Sequence, residues 1–410
     1  FDDLTNGFSF GANAAGAQWD GQMSNGTTLD LSWDNKWVSK VKNYPDRWVF
    51  EAAIPFKSIR YKKGIREWGI NFSRLDLKTT EKSGWAPVPR QFPSSTLAYT
   101  GTLVWDSPPP DPGANISLIP YSLGGFSKNG ESGEKASYKR EIGLDAKVSL
   151  TSSLNLDLTV NPDFSQVEVD RQVTNLDRFE LFFPERRQFF LENGDLFGSY
   201  GYSTLRPFFS RRIGLNAPIE FGARLSGKLN KDWRIGALNM QTGAVEETGL
   251  PTQNFSVVSL QRQVGARSTI GALVVNKQSL NYDPSLVPEN QTRYTEFNRN
   301  LGLEYNLASA NNLWTGKAMV LQSFGPEAVG RGIAHAANLK YSSGNLTWNW
   351  QHEFVSENYT AEVGFVPRTA FYKISPSIGY RWFPKSALIL SHGPELNSIR
   401  YFSLKGVQTD

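Results

Sequence analysis

Residues 179–190, with the sequence FELFFPERRQFF, combine five phenylalanines with five charged or amide side chains. A soluble core has no place for Glu185, Arg186 and Arg187 so close together, because buried charges are costly unless they are paired. A freely solvated loop is equally unsuitable for so many aromatic rings. The stretch therefore predicts a folded segment in an enclosed environment that is apolar and polar at once.

Carboxylates in and near this stretch raise the question of catalysis. Glycoside hydrolysis needs two carboxyl groups roughly 5–10 Å apart, and Asp163 with Glu168, or Glu185 with Glu192, could form such a pair. Acidic pairs in loops are more often solvated or ion-paired, and no nucleophile-elbow, phosphate-loop or dinucleotide motif is present. The three histidines lack metal-ligand spacing. We therefore predict no catalytic residue, no metal site and no cofactor.

Composition restricts the class of protein. The chain has 410 residues, with 43 Lys and Arg against 39 Asp and Glu, and this small basic excess gives no footprint for nucleic acid. Cysteine is absent, which excludes disulfides. No apolar run approaches the roughly 20 residues of a membrane helix. Aromatic residues at 13% and 36 glycines are typical of a β-protein. Because Phe1 is not an initiator, we expect an export signal to have been removed.

Residues 115–410 show a repeated period of two. In residues 154–160, leucines and a valine alternate with Asn155, Asp157 and Thr159, and in residues 301–307 apolar side chains alternate with Glu304 and Asn306. Such alternation places one face of a strand in an apolar medium and the other in a polar one.

The connections between these strands alternate in length. Short turns at residues 151, 230, 265, 309 and 342 are separated by long connections at 127–137, 161–217, 244–253, 279–296, 324–332 and 357–370. Outer-membrane barrels have tight periplasmic turns and long extracellular loops. The pattern predicts an antiparallel transmembrane β-barrel of about a dozen strands, in contact with outer-membrane lipid. We expect the barrel to be incomplete in this chain, because the last predicted strand has no visible successor.

The long connection at 161–217 holds the opening stretch, and it far exceeds the usual loop length of roughly 4–6 residues. We expect its arginines to pair with its own acids, Glu180, Glu185, Glu192 and Asp195, or with strand carboxylates such as Asp157 and Glu304. The segment is predicted to plug or constrict the lumen, although a loop that merely caps the barrel is an alternative. The predicted plug residues are Phe182, Phe183, Glu185, Arg186, Arg187, Phe189, Phe190, Glu192, Arg211 and Arg212.

The first 105 residues have a different character. Trp-rich, strand-like runs predict a compact β-sandwich, and DSPPPDPGA at residues 106–114 predicts a semi-rigid linker, because consecutive prolines cannot join a sheet ladder. Since strand one would rise from this linker to a long loop, we expect the N-terminal domain to be periplasmic. Asp30, Asp34 and Asp46 near turns are a weak signal for calcium.

Two sets of motifs carry a resemblance. NPDFSQVEVD, NLDRFELFFPERRQFFLENGDLF and FFSRRIG within residues 161–214, together with GFVPRTAFYKISPSIGYRWFP at 364–384, resemble an uncharacterised family of Gram-negative outer-membrane β-barrels. In that family a domain similar to carbohydrate-binding module family nine precedes a barrel domain of unknown function. The resemblance implies the fold and the location, and it implies no reaction.

The N-terminal region resembles the second half of that carbohydrate-binding module through SWDNKW, WVFEAAIPFKSIRY and WGINFSR. Glycan modules present exposed Trp faces to sugars, with polar side chains that bond the hydroxyl groups. The predicted glycan-binding residues are Trp33, Trp37, Trp85, Asn71 and Arg74, whereas Trp48 and Trp68 in alternating strands are expected in the core.

These observations predict an outer-membrane barrel that acts in transport or as a scaffold for other outer-membrane proteins or lipoproteins, with a glycan-binding-like periplasmic domain. A carbohydrate-active hydrolase anchored in the outer membrane is an alternative. A soluble β-sandwich that binds glycans is a second alternative, and it would bury the alternating leucines between two layers.

Overall fold

The computed structural model describes most of the chain. The described residues are 4–31, 33, 35–59, 61, 63–110, 116–128, 137–151, 153–162, 170, 172–176, 178–283, 285, 294–326, 332–386 and 388–409. The predicted linker at 106–114 is therefore described only as far as Pro110.

The N-terminal region forms four small antiparallel sheets. The strands are β1 (Gly7–Ala12), β2 (Gln18–Ser24), β3 (Thr28–Asp30), β4 (Val38–Asn43), β5 (Trp48–Ala53), β6 (Glu67–Ile70), β7 (Ser73–Asp76), β8 (Glu81–Gly84) and β9 (Gly101–Val104). They pair as β1-β2-β3, β4-β5, β6-β9 and β7-β8. The described part of this region is therefore built of β-strands in separate small sheets, and the β-sandwich stays a prediction.

The rest of the chain builds one large antiparallel sheet. Its strands are β10 (Ile116–Ser127), β11 (Ser137–Thr151), β12 (Leu154–Val160), β13 (Ile219–Lys228), β14 (Trp233–Thr242), β15 (Gln253–Val264), β16 (Ser268–Ser279), β17 (Phe297–Ala308), β18 (Trp314–Phe324), β19 (Gly332–Ser342), β20 (Leu346–Val355), β21 (Phe371–Ile374), β22 (Ser377–Tyr380), β23 (Glu395–Asn397) and β24 (Arg400–Ser403). Each strand from β10 to β20 pairs with its successor. The sheet has 15 strands where about a dozen were predicted. Part of the difference arises at its end, where β21 and β22, separated by Pro376, both pair with β20 and continue to β24 and β23.

The sheet is open in the described residues. Strand β10 pairs only with β11 and forms one edge, while β24, paired with β21, and β23, paired with β22, form the other. The predicted alternation of connections is confirmed by the strand bounds. Connections of a few residues alternate with long ones from β10 to β21, which places every long connection at one end of the sheet.

The two faces of the sheet reverse the burial of a soluble protein. On β17, Leu303 is 59% exposed, whereas its neighbour Glu304 is 4% exposed. On β12, Leu158 and Val160 are exposed while Asn155, Asp157 and Thr159 are buried. We call the face with the exposed leucines the outer face and the opposite one the inner face. The alternating leucines of these strands are therefore not buried between two layers, as a soluble sandwich would require.

Aromatic side chains lie at both ends of the outer face. At the end with the short turns, the Trp314 ring centroid lies 4.8 Å from that of Tyr341 and 6.5 Å from that of Trp348. At the end with the long connections, Phe297, Phe324 and Phe354 occupy outer positions of β17, β18 and β20. Many outward positions between the two rows are apolar, such as Leu301, Leu303 and Val320, and we call this band the apolar belt.

The N-terminal region contacts the short-turn end of the large sheet. The Tyr99 hydroxyl donates to the Asn311 carbonyl oxygen at 2.5 Å. The buried Arg267 guanidinium donates to Asn312 Oδ1 at 3.0 Å, and it lies against Gly26, where a side chain would collide with it. These contacts place the N-terminal region beside the short turns, at the end of the sheet expected from the strand order.

Candidate functional site: a segment folded onto the inner face

The long connection between β12 and β13, which we call the inserted segment, lies against the inner face. It contains two short helices, α1 (Gln188–Leu191) and α2 (Asp195–Gly198). Its buried apolar side chains form one core with inward-facing strand residues. This core comprises Phe190, Leu196, Phe197, Tyr200, Phe208, Ile213, Ile219, Leu238, Met240, Phe255, Val257, Leu273, Val275 and Val363. The segment is therefore folded, as its aromatic content predicts.

Ion pairs and hydrogen bonds attach helices α1 and α2 to the wall. Asp195 accepts two hydrogen bonds from Arg234 of β14, at 2.7 and 3.1 Å. Glu192 forms an ion pair with Lys147 of β11. Asn193 Nδ2 donates to Ser226 Oγ of β13 at 3.0 Å. Because bidentate Arg–carboxylate contacts fix both distance and orientation, this end of the segment is held in one place.

The turn at residues 199–205 is held at a second place, by two charged pairs of the wall. The Gly201 backbone N–H donates to Glu304 Oε2 at 2.8 Å. The Lys317 ammonium, 3.3 Å from the same carboxylate, donates to the Gly201 carbonyl oxygen at 3.0 Å. Thr204 Oγ1 donates to Glu353 Oε2 at 3.2 Å, and Lys373 pairs with the other oxygen of Glu353 at 2.8 Å. At both places, Glu304 and Glu353, the turn thus contacts a carboxylate that already has a lysine partner.

The opening stretch makes its strongest pair within itself. Arg187 donates from Nε and Nη2 to the two oxygens of Glu185, at 2.9 and 2.7 Å, and Ser210 Oγ donates to the same carboxylate at 2.6 Å. Burial acts to raise the pKa of Glu185, but the Arg187 charge and the hydrogen bonds outweigh it and hold this pKa below its usual value. Arg187 also donates to the carbonyl oxygens of Ile213 and Ser210, which ties the stretch to the end of the segment.

The remaining arginines of the predicted plug pair with nearby acids. Arg186 and Arg211 both reach Asp170, at 3.4 and 2.6 Å, and Arg212 pairs with Glu180 at 2.5 Å. The prediction named Glu180 and Glu185 correctly as partners and did not name Asp170. Glu192 and Asp195 instead meet the strand residues Lys147 and Arg234.

The phenylalanines of the stretch occupy two environments. Phe190 is buried in the core, and the Arg224 guanidinium lies 5.3 Å from the ring centroid of Phe189. Phe182 packs against Phe209 and Phe365, under the Arg206 guanidinium at 4.3 Å, and Phe183 is partly buried. Through these contacts the inserted segment packs against Arg224 of the wall at one place and against Phe365 at another.

Arg224 and Asp157 form a buried ion pair on the inner face. Arg224 is 2% exposed and donates from Nε and Nη2 to Asp157 Oδ2, at 3.2 and 2.8 Å. The two residues are partners in the ladder between β12 and β13, so the register itself brings them together. The pair lies in the wall next to the inserted segment, which covers Arg224 through Phe189.

A second connection joins the inserted segment. The strand-like bridge between Arg206 and Phe365 has hydrogen bonds of 3.0 and 2.9 Å, and Phe209 N donates to the Val363 carbonyl oxygen at 2.6 Å. Residues 356–370 therefore fold inward too. This inward fold was not predicted, although part of the motif that carries the family resemblance, at 364–384, lies in this connection.

The glycan-binding residues predicted in the N-terminal region separate into two groups. Trp33 and Trp37 are each 6% exposed and pack against Phe8, Phe10 and Phe50, so their ring faces are covered and this part of the prediction needs correction. Trp85 is 59% exposed, beside Phe72.

The two polar members of the predicted glycan set lie in different surroundings. Asn71 Oδ1 accepts a hydrogen bond from the Ala86 backbone N–H at 2.9 Å, so this side chain fixes the backbone at Ala86. Arg74 is exposed and pairs with Asp76. Of the five predicted residues, only Trp85 and Arg74 present their side chains to solvent.

No group of three metal-ligating side chains occurs within the described residues. Asp30 is exposed and Asp46 pairs with Arg47, whereas Asp34 lies outside the described residues. The carboxylates Asp163 and Glu168 also lie outside them. Glu185 and Glu192 belong to separate ion pairs, with Arg187 and Lys147.

Comparisons with known proteins identify one family model that matches part of this chain. A family model described as a domain of unknown function (DUF5916) matches residues 112–223. The match covers the start of the large sheet and the inserted segment. It does not reach the N-terminal region, where similarity to a carbohydrate-binding module stays a prediction. No curated protein matches the chain.

Two solved structures show weak similarity. OmpT, an outer membrane protein of Vibrio cholerae, is 9% identical with a TM-score of 0.29, covering 72% of this chain and 91% of OmpT. Its loop L8 deletion mutant is 10% identical with a TM-score of 0.29, covering 71% of this chain and 94% of the mutant. Scores this low do not establish a common fold. No helix in the described ranges is long and apolar enough to cross a membrane.

The Arg224–Asp157 pair makes a first prediction. Asp157→Ala leaves a buried guanidinium without its counter-charge, and we expect it to lower the free energy of unfolding by about 3–5 kcal/mol. The double variant Asp157→Leu/Arg224→Met should recover most of this loss, because it removes both charges. Denaturant-induced unfolding followed by tryptophan fluorescence measures both. The control is Asp76→Ala, which removes the partner of the exposed Arg74 and should cost less than about 1 kcal/mol; equal losses at the two sites would contradict the prediction.

The lowered pKa of Glu185 leads to a second prediction. Since its folded pKa lies below the unfolded value of about 4.3, its contribution is complete above roughly pH 5 and is lost as pH falls through the folded pKa. Glu185→Gln should lower the free energy of unfolding by about 1–3 kcal/mol at pH 7, and this difference should shrink below about pH 4. Urea titrations from pH 3 to pH 8 test it, with Glu180→Gln at the exposed pair as the control. A difference that is constant across this range would refute the assignment.

Proposed function

We propose that this chain forms the wall of an outer-membrane β-barrel and that the inserted segment controls passage through its interior. The observation that carries the proposal is the reversed burial of the large sheet, in which leucines are exposed on the outer face and ion pairs are buried on the inner face. Water would disfavour such an outer face. Lipid stabilises such a face, because its hydrocarbon tails contact the leucines that no protein core covers.

The height of the outer apolar belt supports this proposal. Strand β18 has 11 residues, between Trp314 and Phe324 in the two aromatic rows, and is roughly 33 Å long at about 3.3 Å per residue. A strand tilt of about 40° reduces this to roughly 25 Å, which is the height of the apolar band in outer-membrane barrels. Trp and Tyr at one margin and Phe at the other fit the interfaces of such a band.

The alternation of connections gives the orientation. In barrels of this class the short turns are periplasmic, so the N-terminal region beside them is periplasmic in the proposal. The long connections, including both ends of the inserted segment, then begin on the outside. Gln22 Nε2 of β2 donates to Asn193 Oδ1 of the inserted segment at 3.4 Å. In the proposal, the periplasmic N-terminal region therefore contacts the plug directly.

The charges of the inserted segment suit control of passage better than stability. A buried ion pair contributes little net stability against an apolar replacement, but it fixes one arrangement. Lys147, Arg234, Lys317 and Glu304 of the wall hold the segment by such contacts. Their rearrangement would open a path along a polar inner face. A scaffold role for other envelope proteins is the alternative, and the experiment below distinguishes the two.

Removal of the inserted segment tests this proposal. The Asn161 backbone N–H donates to the Glu220 carbonyl oxygen at 2.6 Å, so the ends of the segment are neighbours and a short Gly–Ser turn can replace residues 163–216. In planar bilayers, we expect the deletion variant of the full-length protein to conduct steadily and the unaltered protein to be nearly silent. A variant with Asn193→Cys and Ser226→Cys, which locks the segment to the wall, is the matched control and should be as silent as the unaltered protein, with its disulfide formed or reduced.

Two outcomes would count against this proposal. A deletion variant that inserts but conducts no better than the unaltered protein would rule out a plug and leave the scaffold role. A protein that is extracted from cells without detergent would rule out the membrane itself.

Glycan binding by the N-terminal region is a second candidate function, supported by the exposure of Trp85. Its ring centroid lies 6.0 Å from that of Phe72, and Arg74, two residues beyond Phe72 in the chain, is exposed as well, an arrangement suited to stacking a sugar ring. We expect Trp85→Ala to weaken binding to cell-wall or plant polysaccharide by roughly fivefold or more, about 1 kcal/mol. Affinity electrophoresis in polysaccharide gels measures this, with the exposed Trp19→Ala as control. Equal mobility of the unaltered protein with and without every polysaccharide would refute it.

A further inference from the structure

Polar side chains follow one another along the outer face at the long-connection ends of strands β14 to β20. All of them lie within the first or last four residues of their strand. On β14, β15 and β16 every outward residue of these four is an amide or a hydroxyl, namely Asn239, Gln241, Asn254, Ser256, Asn276 and Gln278. Each of the next four strands adds one polar residue, in order Arg299, Gln322, His335 and His352. We call these residues the polar band.

Buried neighbours fix the outward direction of the polar band. Met240 and Val275 belong to the core that the inserted segment forms on the inner face, and Leu321 and Ala334 belong to the second core. Because successive side chains of a strand point to opposite faces, the residues next to these four point outward. The band therefore belongs to the outer face and has no contact with the interior.

Four members of the polar band stand directly opposite one another in the ladder across β14 to β17: Asn239, Ser256, Asn276 and Arg299. Asn239 Nδ2 donates to Ser256 Oγ at 2.8 Å, and Arg299 Nε donates to Asn276 Oδ1 at 3.0 Å. Arg299 Nη2 donates to Gln278 Oε1 at 3.4 Å. These contacts hold the side chains of the row in fixed positions on the outer surface.

Arg299 is a fixed positive charge without a carboxylate partner in the described ranges. Its guanidinium stacks on Phe297 at 4.5 Å, its acceptors are neutral amide oxygens, and its Nη1 donates to no described residue. The inner-face arginines Arg224 and Arg234, by contrast, each pair with an aspartate. Strands β14 to β20 are described in full, and none of the outward residues in their long-connection halves is acidic. The surface therefore presents a positioned cation to an external anion.

Other members of the polar band have hydrogen-bonding groups to spare. Within the described part of the chain, Gln241 Nε2 and Asn276 Nδ2 donate no hydrogen bond, whereas the oxygens of both side chains accept one. The side chain of Gln322 makes no hydrogen bond to any described residue. An amide both donates and accepts, as a sugar hydroxyl does. The band as a whole therefore suits a ligand that carries hydroxyl groups and negative charge together.

The short-turn margin of the same face has a different composition. Trp233, Trp314, Tyr341 and Trp348 lie there, and the Arg262 guanidinium is 5.5 Å from the ring centroid of Trp233. Trp and Tyr are typical of the interface between a bilayer and water. In the proposed orientation the opposite margin, with the polar band, lies in the outer leaflet, whose lipids in an outer membrane carry phosphorylated sugar headgroups. The difference between the two margins thus matches the difference between the two leaflets.

We propose that the polar band binds the phosphorylated sugar headgroup of an outer-leaflet glycolipid. Arg299 donates to a phosphate oxygen, and the amides of the band exchange hydrogen bonds with sugar hydroxyls. Phe297, Phe324 and Phe354, which alternate with the band at the same height, contact the acyl chains next to the headgroup. This inference rests on the proposed membrane location.

Lipid binding to the full-length protein in detergent tests the headgroup site. The probe is lipid A, a glycolipid with a phosphorylated glucosamine disaccharide, and phosphatidylglycerol is the anionic lipid without that sugar. Native mass spectrometry measures the bound fraction of each. We expect a preference for lipid A, and Arg299→Ala should lower the affinity for lipid A about tenfold. The matched control is Arg262→Ala, which removes an exposed, ring-stacked arginine at the short-turn margin and should leave this affinity unchanged.

Three outcomes would overturn the headgroup site: equal affinity for the two lipids, equal effects of the two arginine variants, or release of lipid A by excess inorganic phosphate, which indicates a bare anion site. A separate variant tests the membrane location. The chain has no cysteine, so Leu303→Cys on β17 carries a single fluorophore. If spin-labelled lipid quenches it and lipid A is not preferred, only the headgroup site is wrong. Quenching by aqueous iodide alone would remove the membrane location as well.

Discussion

The arrangement of this molecule depends on the alternation of side chains along β-strands that carry charges on one face and leucines on the other. Because successive side chains of a strand point to opposite faces, each residue whose side chain lies on the outer face has neighbours whose side chains lie on the inner face. Asp157, Arg224, Glu304 and Glu353 are such neighbours, and each has an oppositely charged partner. Two of these pairs join adjacent strands directly opposite in the ladder, Asp157 with Arg224 and Glu353 with Lys373, so the register also sets the electrostatics.

The inserted segment completes this inner face. Arg234 and Lys147 of the wall meet Asp195 and Glu192 of the segment. The apolar inner positions of β14 to β16 are covered by α1, α2 and the residues that follow. Residues 356–370 add Tyr359 to a second core with Leu205, Met319 and Leu321. One connection therefore supplies charge where the wall has charge and aromatic rings where it is apolar, so its position follows from matching surfaces.

Much of this was predictable from the sequence, and the limits have a physical origin. Periodicity identified the residues that share a face, and connection lengths gave the antiparallel order. Neither reports which face another part of the chain covers. For this reason the inward fold of residues 356–370, the partners of Glu192 and Asp195, and the burial of Trp33 and Trp37 required the structure. A Trp with polar neighbours in sequence gives no sign of Phe8 and Phe10 from another strand covering its ring.

The middle strands show how the two faces are coupled. In β12 and β17 the apolar side chains point outward, but in the upper halves of β14, β15 and β16 the phase is reversed, with Met240, Val257 and Val275 inward and Asn239, Ser256 and Asn276 outward. The reversal coincides with the core that the inserted segment forms on these strands, which needs an apolar floor. Since period-two alternation fixes the opposite face, an apolar floor leaves a polar patch outside. A lipid-facing wall at this place would require apolar residues on both faces. The amides instead stand near the long-connection ends of β14 and β15, at the margin of the apolar belt, where polar outward residues and an apolar inner floor are compatible.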